Sequence, residues 1–182
     1  FILADDLDFR TMAMMPRLPA LLGQHGRTFD RAYVTQSLCA PSRASILTGQ
    51  FPHNHRVLDN TGPDGASGAF RRGPEASTIA TWLHGAGYRT ALVGKYMYGY
   101  PTAATPDYIA PGWDEWRAQE TDLTAGRYVN YFLNENGTVN EFGTRDEEYE
   151  TDVHTNRAVT FIERSVQDHK PFFLYLAPDA PH

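Results

Sequence analysis

Pro171-Phe172-Phe173-Leu174-Tyr175-Leu176-Ala177 is an unbroken apolar run. It follows a segment, Thr151–Gln167, in which Val159, Ile162 and Val166 recur at helical spacing. A continuous apolar run of this length suits a strand covered on both faces, as in a parallel sheet. Two more runs have the same character, Phe1–Ala4 and Thr90–Gly94 (Thr-Ala-Leu-Val-Gly). Helical patterns lie between them. Glu75–His84 turns Ile79, Trp82 and Leu83 toward one side and stops at Gly85 and Gly87. Arg17–Gln24, with Pro19 in its first turn, reads as a short helix. Strands alternating with helices predict an α/β fold, a mainly parallel sheet flanked by helices.

The bulk numbers narrow the function classes. The chain has 182 residues, 41% hydrophobic and 21% charged, enough apolar material for one sizeable core. A net charge of -6 argues against a nucleic-acid partner, since phosphate backbones are bound by basic faces. No apolar run approaches the roughly 20 residues that cross a bilayer. A single cysteine excludes an internal disulfide. The chain opens inside an apparent strand and stops abruptly at Pro181-His182, and so reads as a piece of a longer protein. A targeting segment could have been lost with the ends.

Residues 96–149 differ from the rest. They are rich in Tyr, Trp, Gly, Pro and Asn without a clean period, which predicts long loops, a small hairpin at Tyr131–Glu141 turning at Asn136-Gly137, and a substrate-facing role. Asn136-Gly137-Thr138 also fits a glycosylation acceptor. Trp113 and Trp116 suit either loop core or a sugar-stacking surface.

Each apolar run ends in polar residues able to do chemistry. Phe1–Ala4 leads into Asp5, Asp6 and Asp8; Thr90–Gly94 into Lys95; Phe172–Ala177 toward Asp179 and His182. Ligands of open α/β sheets bind beyond the carboxyl ends of the strands, so these groups are expected on one rim. Paired carboxylates offer hard oxygen ligands of the kind that suit Ca²⁺ or Mg²⁺, or else an Asp-capped turn.

Ser37-Leu38-Cys39-Ala40-Pro41-Ser42-Arg43-Ala44-Ser45-Ile46-Leu47-Thr48-Gly49 is the most informative segment. Pro41 suits the first turn of a helix, which sets Cys39 at the amino end, where free N–H groups favour an anion. Arg43 follows one turn on and can hold an anionic group by two parallel bonds. Taken alone, this describes a reactive thiol beside an anion site.

Cys39-x-Pro41-Ser42-Arg43, followed by Thr48-Gly49, resembles the signature of the sulfatase family, whose cysteine is oxidised to formylglycine after synthesis. Other stretches resemble the same family: Asp5-Asp6 its opening metal-binding acids, Gly94-Lys95 its active-site lysine, Ala180-Pro181-His182 its histidine beside the sulfate, and Gly49–His55 the stretch after the signature. Gly94–Tyr100 together with Pro111–Trp116 resembles the branch containing N-acetylglucosamine-6-sulfatases. Met97 departs from the family, because many relatives have a histidine there. The resemblance covers essentially the whole chain but only the amino-terminal part of a sulfatase. It implies that further metal ligands, an Asp and an Asn or Gln, and a second lysine lie beyond His182. His53 and His55 are given no ligand role by it and are expected to support a loop.

The resemblance implies an alkaline-phosphatase-like fold and a Ca²⁺ ion, with Mg²⁺ as the other choice, held by Asp5, Asp6 and the residue made from Cys39. One hydroxyl of the formylglycine hydrate attacks sulfur, and the second releases sulfate and restores the aldehyde. The metal stabilises the nucleophile and polarises the sulfuryl oxygens. Arg43 holds the hydrate, while Lys95 and His182 meet the sulfate and the leaving oxygen. A sulfated sugar or other sulfated small molecule is the implied substrate, and a formylglycine-generating enzyme the implied maturation partner. A secreted, periplasmic or lysosomal location is expected over a cytoplasmic one. Phosphonate monoester or phosphodiester hydrolases share the signature, and a non-catalytic relative that binds sulfated glycans is the third reading.

Overall fold

The computed structural model describes residues 1–63, 65–101, 104–121 and 126–182. In chain order the elements are α1 (Cys39–Thr48), α2 (Pro52–His55), α3 (Ala66–Arg71), α4 (Ile79–Gly85), β1 (Arg89–Lys95), β2 (Glu115–Gln119), β3 (Tyr131–Glu135), β4 (Thr138–Phe142), α5 (Glu150–Gln167) and β5 (Phe172–Ala177). Short 3₁₀ turns and a π-turn at Pro19–Gly23 complete the set; the last stands where a short helix was expected.

The strands form one five-stranded sheet in the order β4-β3-β2-β1-β5. β1 is central and pairs in parallel with β2 and β5, aligning Leu92 with Trp116 and Tyr175. β2–β3 and β3–β4 are antiparallel, so the sheet is mixed rather than mainly parallel. Three of its five strands come from residues 96–149, where loops and one hairpin were expected. The hairpin turns where Asn136 and Gly137 both take positive φ, 54° and 91°, as a two-residue loop between twisted strands requires. Residues 102–103 and 122–125 of this region lie outside the described residues.

Alternation along the strands splits the core into layers. Leu92, Trp116 and Tyr175 join Leu47, Phe70 and Tyr96 on the face covered by the helices α1, α3 and α4. Ala91, Val93 and Leu174 meet Ala158 and Phe161 of α5 on the other. Trp113 and Trp116 belong to this core and pack ring to ring at 6.2 Å, so neither serves as an open stacking surface.

Three elements depart from their expected form. Phe1–Asp5 runs alongside β5 through bonds such as Leu3 N–H to Leu176 C=O (2.9 Å), but it makes only isolated bridges, and Phe1 and Ile2 are exposed. α4 begins at Ile79 rather than Glu75. Thr78 caps it through a reciprocal bond pair with Thr81, while Glu75 is pinned outside the helix as acceptor from the Tyr96 and Tyr108 hydroxyls. α5 buries Val153, His154, Ala158, Phe161 and Ser165 and leaves Val159, Ile162 and Val166 exposed. Two stripes of α5 have helical period, and the one carrying the polar groups that reach the sheet's carboxyl rim faces inward.

Candidate active site

Position, more than residue type, creates the site. Asp6 takes a left-handed φ of 55°, and this turn directs both neighbouring carboxylates to one point. Asp5 Oδ2 lies 3.2 Å and Asp6 Oδ2 3.0 Å from Nδ1 of His182. Asp5 also bridges to Pro181, so the segment that begins the chain and the one that carries His182 are zipped together there.

Lys95 is the last residue of β1, and its direction depends on Gly94. Gly94 has φ 104°, and a Cβ on it would stand 2.2 Å from the carbonyl oxygen of Ala177; any side chain would drive β1 away from β5. The Lys95 ammonium, buried, donates to Asp5 Oδ2 and to Asp179 Oδ1, the latter at 2.9 Å.

Cys39 is the first residue of α1, after an extended Leu38. Asn60 reaches across to accept from the Ala40 N–H at 2.8 Å, which ties down the helix start. One turn along, the fully buried Arg43 donates from Nη1 to the Lys95 carbonyl at 2.5 Å and sets Nη2 3.5 Å from Asp5 Oδ1. Cys39, a free thiol, opens with Ser42, Asp5 and Asp6 into a cleft of about 290 Å³.

The electrostatics are concentrated. Burial pushes the Asp5 carboxyl up, but the Arg43 guanidinium and the Lys95 ammonium outweigh it and hold the group below its ordinary range. Ligand atoms of Asp5, Cys39 and His182 lie within 4.8 Å of one another. With Asp6 turned to the same imidazole, the oxygens present are of the kind that would hold a hard divalent cation, with the side chain of residue 39 beside them.

All six residues singled out from the sequence, Asp5, Asp6, Cys39, Arg43, Lys95 and His182, therefore meet at one rim. His53 and His55 do not. His55 bonds to Ser45 Oγ (3.0 Å) and the Val57 N–H (3.1 Å), and His53 stacks on Phe51. Met97 is fully buried in the apolar core, so its side chain leaves the rim altogether. Sequence reasoning placed Asp179 on the rim without a task, and it missed Glu150, His154 and Tyr128. Glu150 Oε1 accepts from the Asp179 N–H (2.9 Å) and lies 2.7 Å from His154 Nδ1, and Tyr128 Oη donates to the His182 carbonyl. Asp179 could have been noticed from its place three residues before His182; Glu150 and His154 carry no such signal.

Known proteins resemble the chain over its whole length. The human N-acetylglucosamine-6-sulfatase is 38% identical over 188 residues, 100% of this chain and 33% of its own. The extracellular sulfatase SULF-1 homolog of Drosophila melanogaster is 36% identical over 186 residues, covering 100% of this chain and 16% of its own. The chain thus spans a third or less of these relatives' length. A protein solved in complex with its substrate D-glucosamine-2-N,6-O-disulfate superposes with a TM-score of 0.68 at 25% identity, over 100% of this chain and 34% of that one. Residues 1–182 match the Sulfatase family throughout, and the chain belongs to that family.

Proposed function

We propose that the full-length protein is a sulfuric ester hydrolase acting on a sulfated sugar. The observation that carries this reading is that Cys39, at the start of α1, shares one cleft with Asp5, Asp6 and Arg43, while Lys95 and His182 both reach the Asp5 carboxylate. Human and fly relatives named as sulfatases, and the glucosamine disulfate bound by the solved neighbour, favour a sulfated sugar as substrate class.

Asp5, Asp6 and the side chain at position 39 would hold a divalent cation, Ca²⁺ by the size and hardness of the donors, which when bound supplies Lewis-acid charge to a sulfuryl oxygen. A formylglycine made from Cys39 by a formylglycine-generating enzyme would, once water has added to its aldehyde, bring two hydroxyls on one carbon, one for attack on sulfur and one for sulfate release. The chain's own residues do the rest. Arg43, locked by the Lys95 carbonyl, orients residue 39 and Asp5. Lys95 offers an ammonium to the sulfate oxygens as charge develops. His182 turns Nδ1 to the two carboxylates, which leaves Nε2 to meet the sulfate and the leaving oxygen. Export from the cytoplasm to the cell exterior accords with the name of the fly relative.

The test is an assay of the full-length protein on paired sulfate and phosphonate esters of one alcohol. Preferential cleavage of the sulfate is expected; clear preference for the phosphonate would replace this reading with a phosphonate hydrolase.

A further inference from the structure

Asp179 has every polar group engaged in the site. Oδ1 accepts from Lys95 Nζ at 2.9 Å, and Oδ2 stands 3.9 Å from Arg127 Nε. Its N–H donates to Glu150 Oε1 at 2.9 Å, and its carbonyl accepts from the His182 N–H at 3.0 Å. The residue is 4% exposed, and Glu150 is fully buried at the first position of α5, with Thr151 Oγ1 donating to its other oxygen at 2.7 Å.

Stability does not account for this carboxylate. Lys95 already has Asp5 as a partner, and burying a further carboxylate beside Glu150 carries a desolvation penalty that one shared ammonium and a half-exposed arginine 3.9 Å away do not fully return. The difference between the two partners of Lys95 is informative. Asp5 is placed to hold a divalent cation and Asp179 is not. A cation on Asp5 would compete with the Lys95 ammonium for the same oxygen and repel it. Lysine, on its flexible four-carbon stem, would swing away unless a second anchor held it.

We propose that Asp179, itself fixed by Glu150, is a positioning residue that tethers the Lys95 ammonium at the rim once Asp5 is committed to a cation. Its carbonyl holds the His182 backbone at the same time, so one residue sets both groups that face the sulfate. The kinetic part of this proposal rests on the sulfatase reading; the structural part does not.

The experiment compares the full-length wild type with Asp179→Ala, Asp179→Asn and Glu150→Gln, each with Ca²⁺ added, by crystallography and by steady-state kinetics on a sulfated sugar. Asp168→Asn, at the far end of the sheet, is the control for lost charge. In Asp179→Ala the Lys95 Nζ should leave its wild-type position and kcat should fall about 10- to 100-fold, the usual effect of removing an orienting partner. Asp179→Asn, which keeps the shape and an acceptor, should lie between the two, and Asp168→Asn should match wild type. An unmoved Lys95 with an unchanged kcat would overturn the proposal. Should Asp179→Ala fail to fold, Asp179→Asn gives both readouts. If the wild type cleaves no sulfate ester, the sulfatase reading falls, and the position of Lys95 in the crystals still decides the tether.

Discussion

The two ends of the parallel strands carry polar side-chain pairs of similar length in opposite surroundings. At the amino ends, Arg89 meets Asp168 at 2.7 Å and His84 meets Asp114 at 3.2 Å, with the carboxylates 46% and 40% exposed. At the carboxyl ends, Lys95 meets Asp179 at 2.9 Å with side chains 3% and 5% exposed, and Arg43 meets Asp5 with 1% and 9%. Distance does not tell these ends apart; water does. Exposed pairs gain little because solvent screens them, whereas buried charges keep their full interaction and the full penalty of losing a partner. On the sulfatase reading, these two carboxylates, the lysine and the arginine have a chemical reason to be buried together.

The comparison can be broken in several places, beginning with the largest effect. Cys39→Ala should abolish sulfate-ester turnover, by on the order of 10³-fold or more, since it removes the proposed nucleophile. Cys39 is only partly buried, so its melting temperature should hardly move. Melting and activity falling together would make residue 39 structural.

Lys95→Met separates the two ends by stability. Removing the cation leaves the buried Asp179 with only the more distant, half-exposed Arg127 as a charge partner, and urea denaturation should show a loss of about 3 kcal/mol or more. The matching change Arg89→Met should cost about 0–1 kcal/mol and nothing measurable in high salt. Equal losses would mean that burial is not what distinguishes the ends.

Acid should act on the carboxyl end first. Burial works to raise the Glu150 carboxyl, but His154, the Asp179 N–H and Thr151 prevail and hold it below its ordinary value of 4.5. A carboxylate depressed in the folded state stabilises above its unfolded value, and that stability is lost as pH falls from 4.5 through the folded value. Unfolding free energy should therefore decline below about pH 4.5, and Glu150→Gln should flatten the decline. An identical slope in the variant would remove Glu150 from the account. The smallest expected effect is that of Asp168→Asn, within about 1 kcal/mol.

The same contrast governs what could be read from the sequence. β1 and β5 are buried on both sides and declare themselves as apolar runs. β2, Glu115–Gln119, hides because one face holds Trp116 and Ala118 while the other is covered by ion pairs, Arg117 and Arg157 with Glu135 and Arg164 with Glu115. Such a strand has the composition of a loop. α5 was legible as a helix but not in its orientation, since the buried stripe includes His154 and Ser165, which read as polar. In the site, the candidate residues were legible from the polar groups that end each apolar run and from Cys39-x-Pro41-Ser42-Arg43, while the roles proposed for them came from the resemblance to the sulfatase signature. Asp179, Glu150 and His154 act through folded geometry, and nothing in one dimension sets a carboxylate on α5 beneath a strand end 29 residues away.

Cys39 is where the account stands or falls. Mass spectrometry of the Cys39 peptide, from full-length protein purified from its native host, tests it most directly. The expected result is an aldehyde at position 39, the thiol lost and oxygen in its place; an intact thiol in every molecule would contradict it.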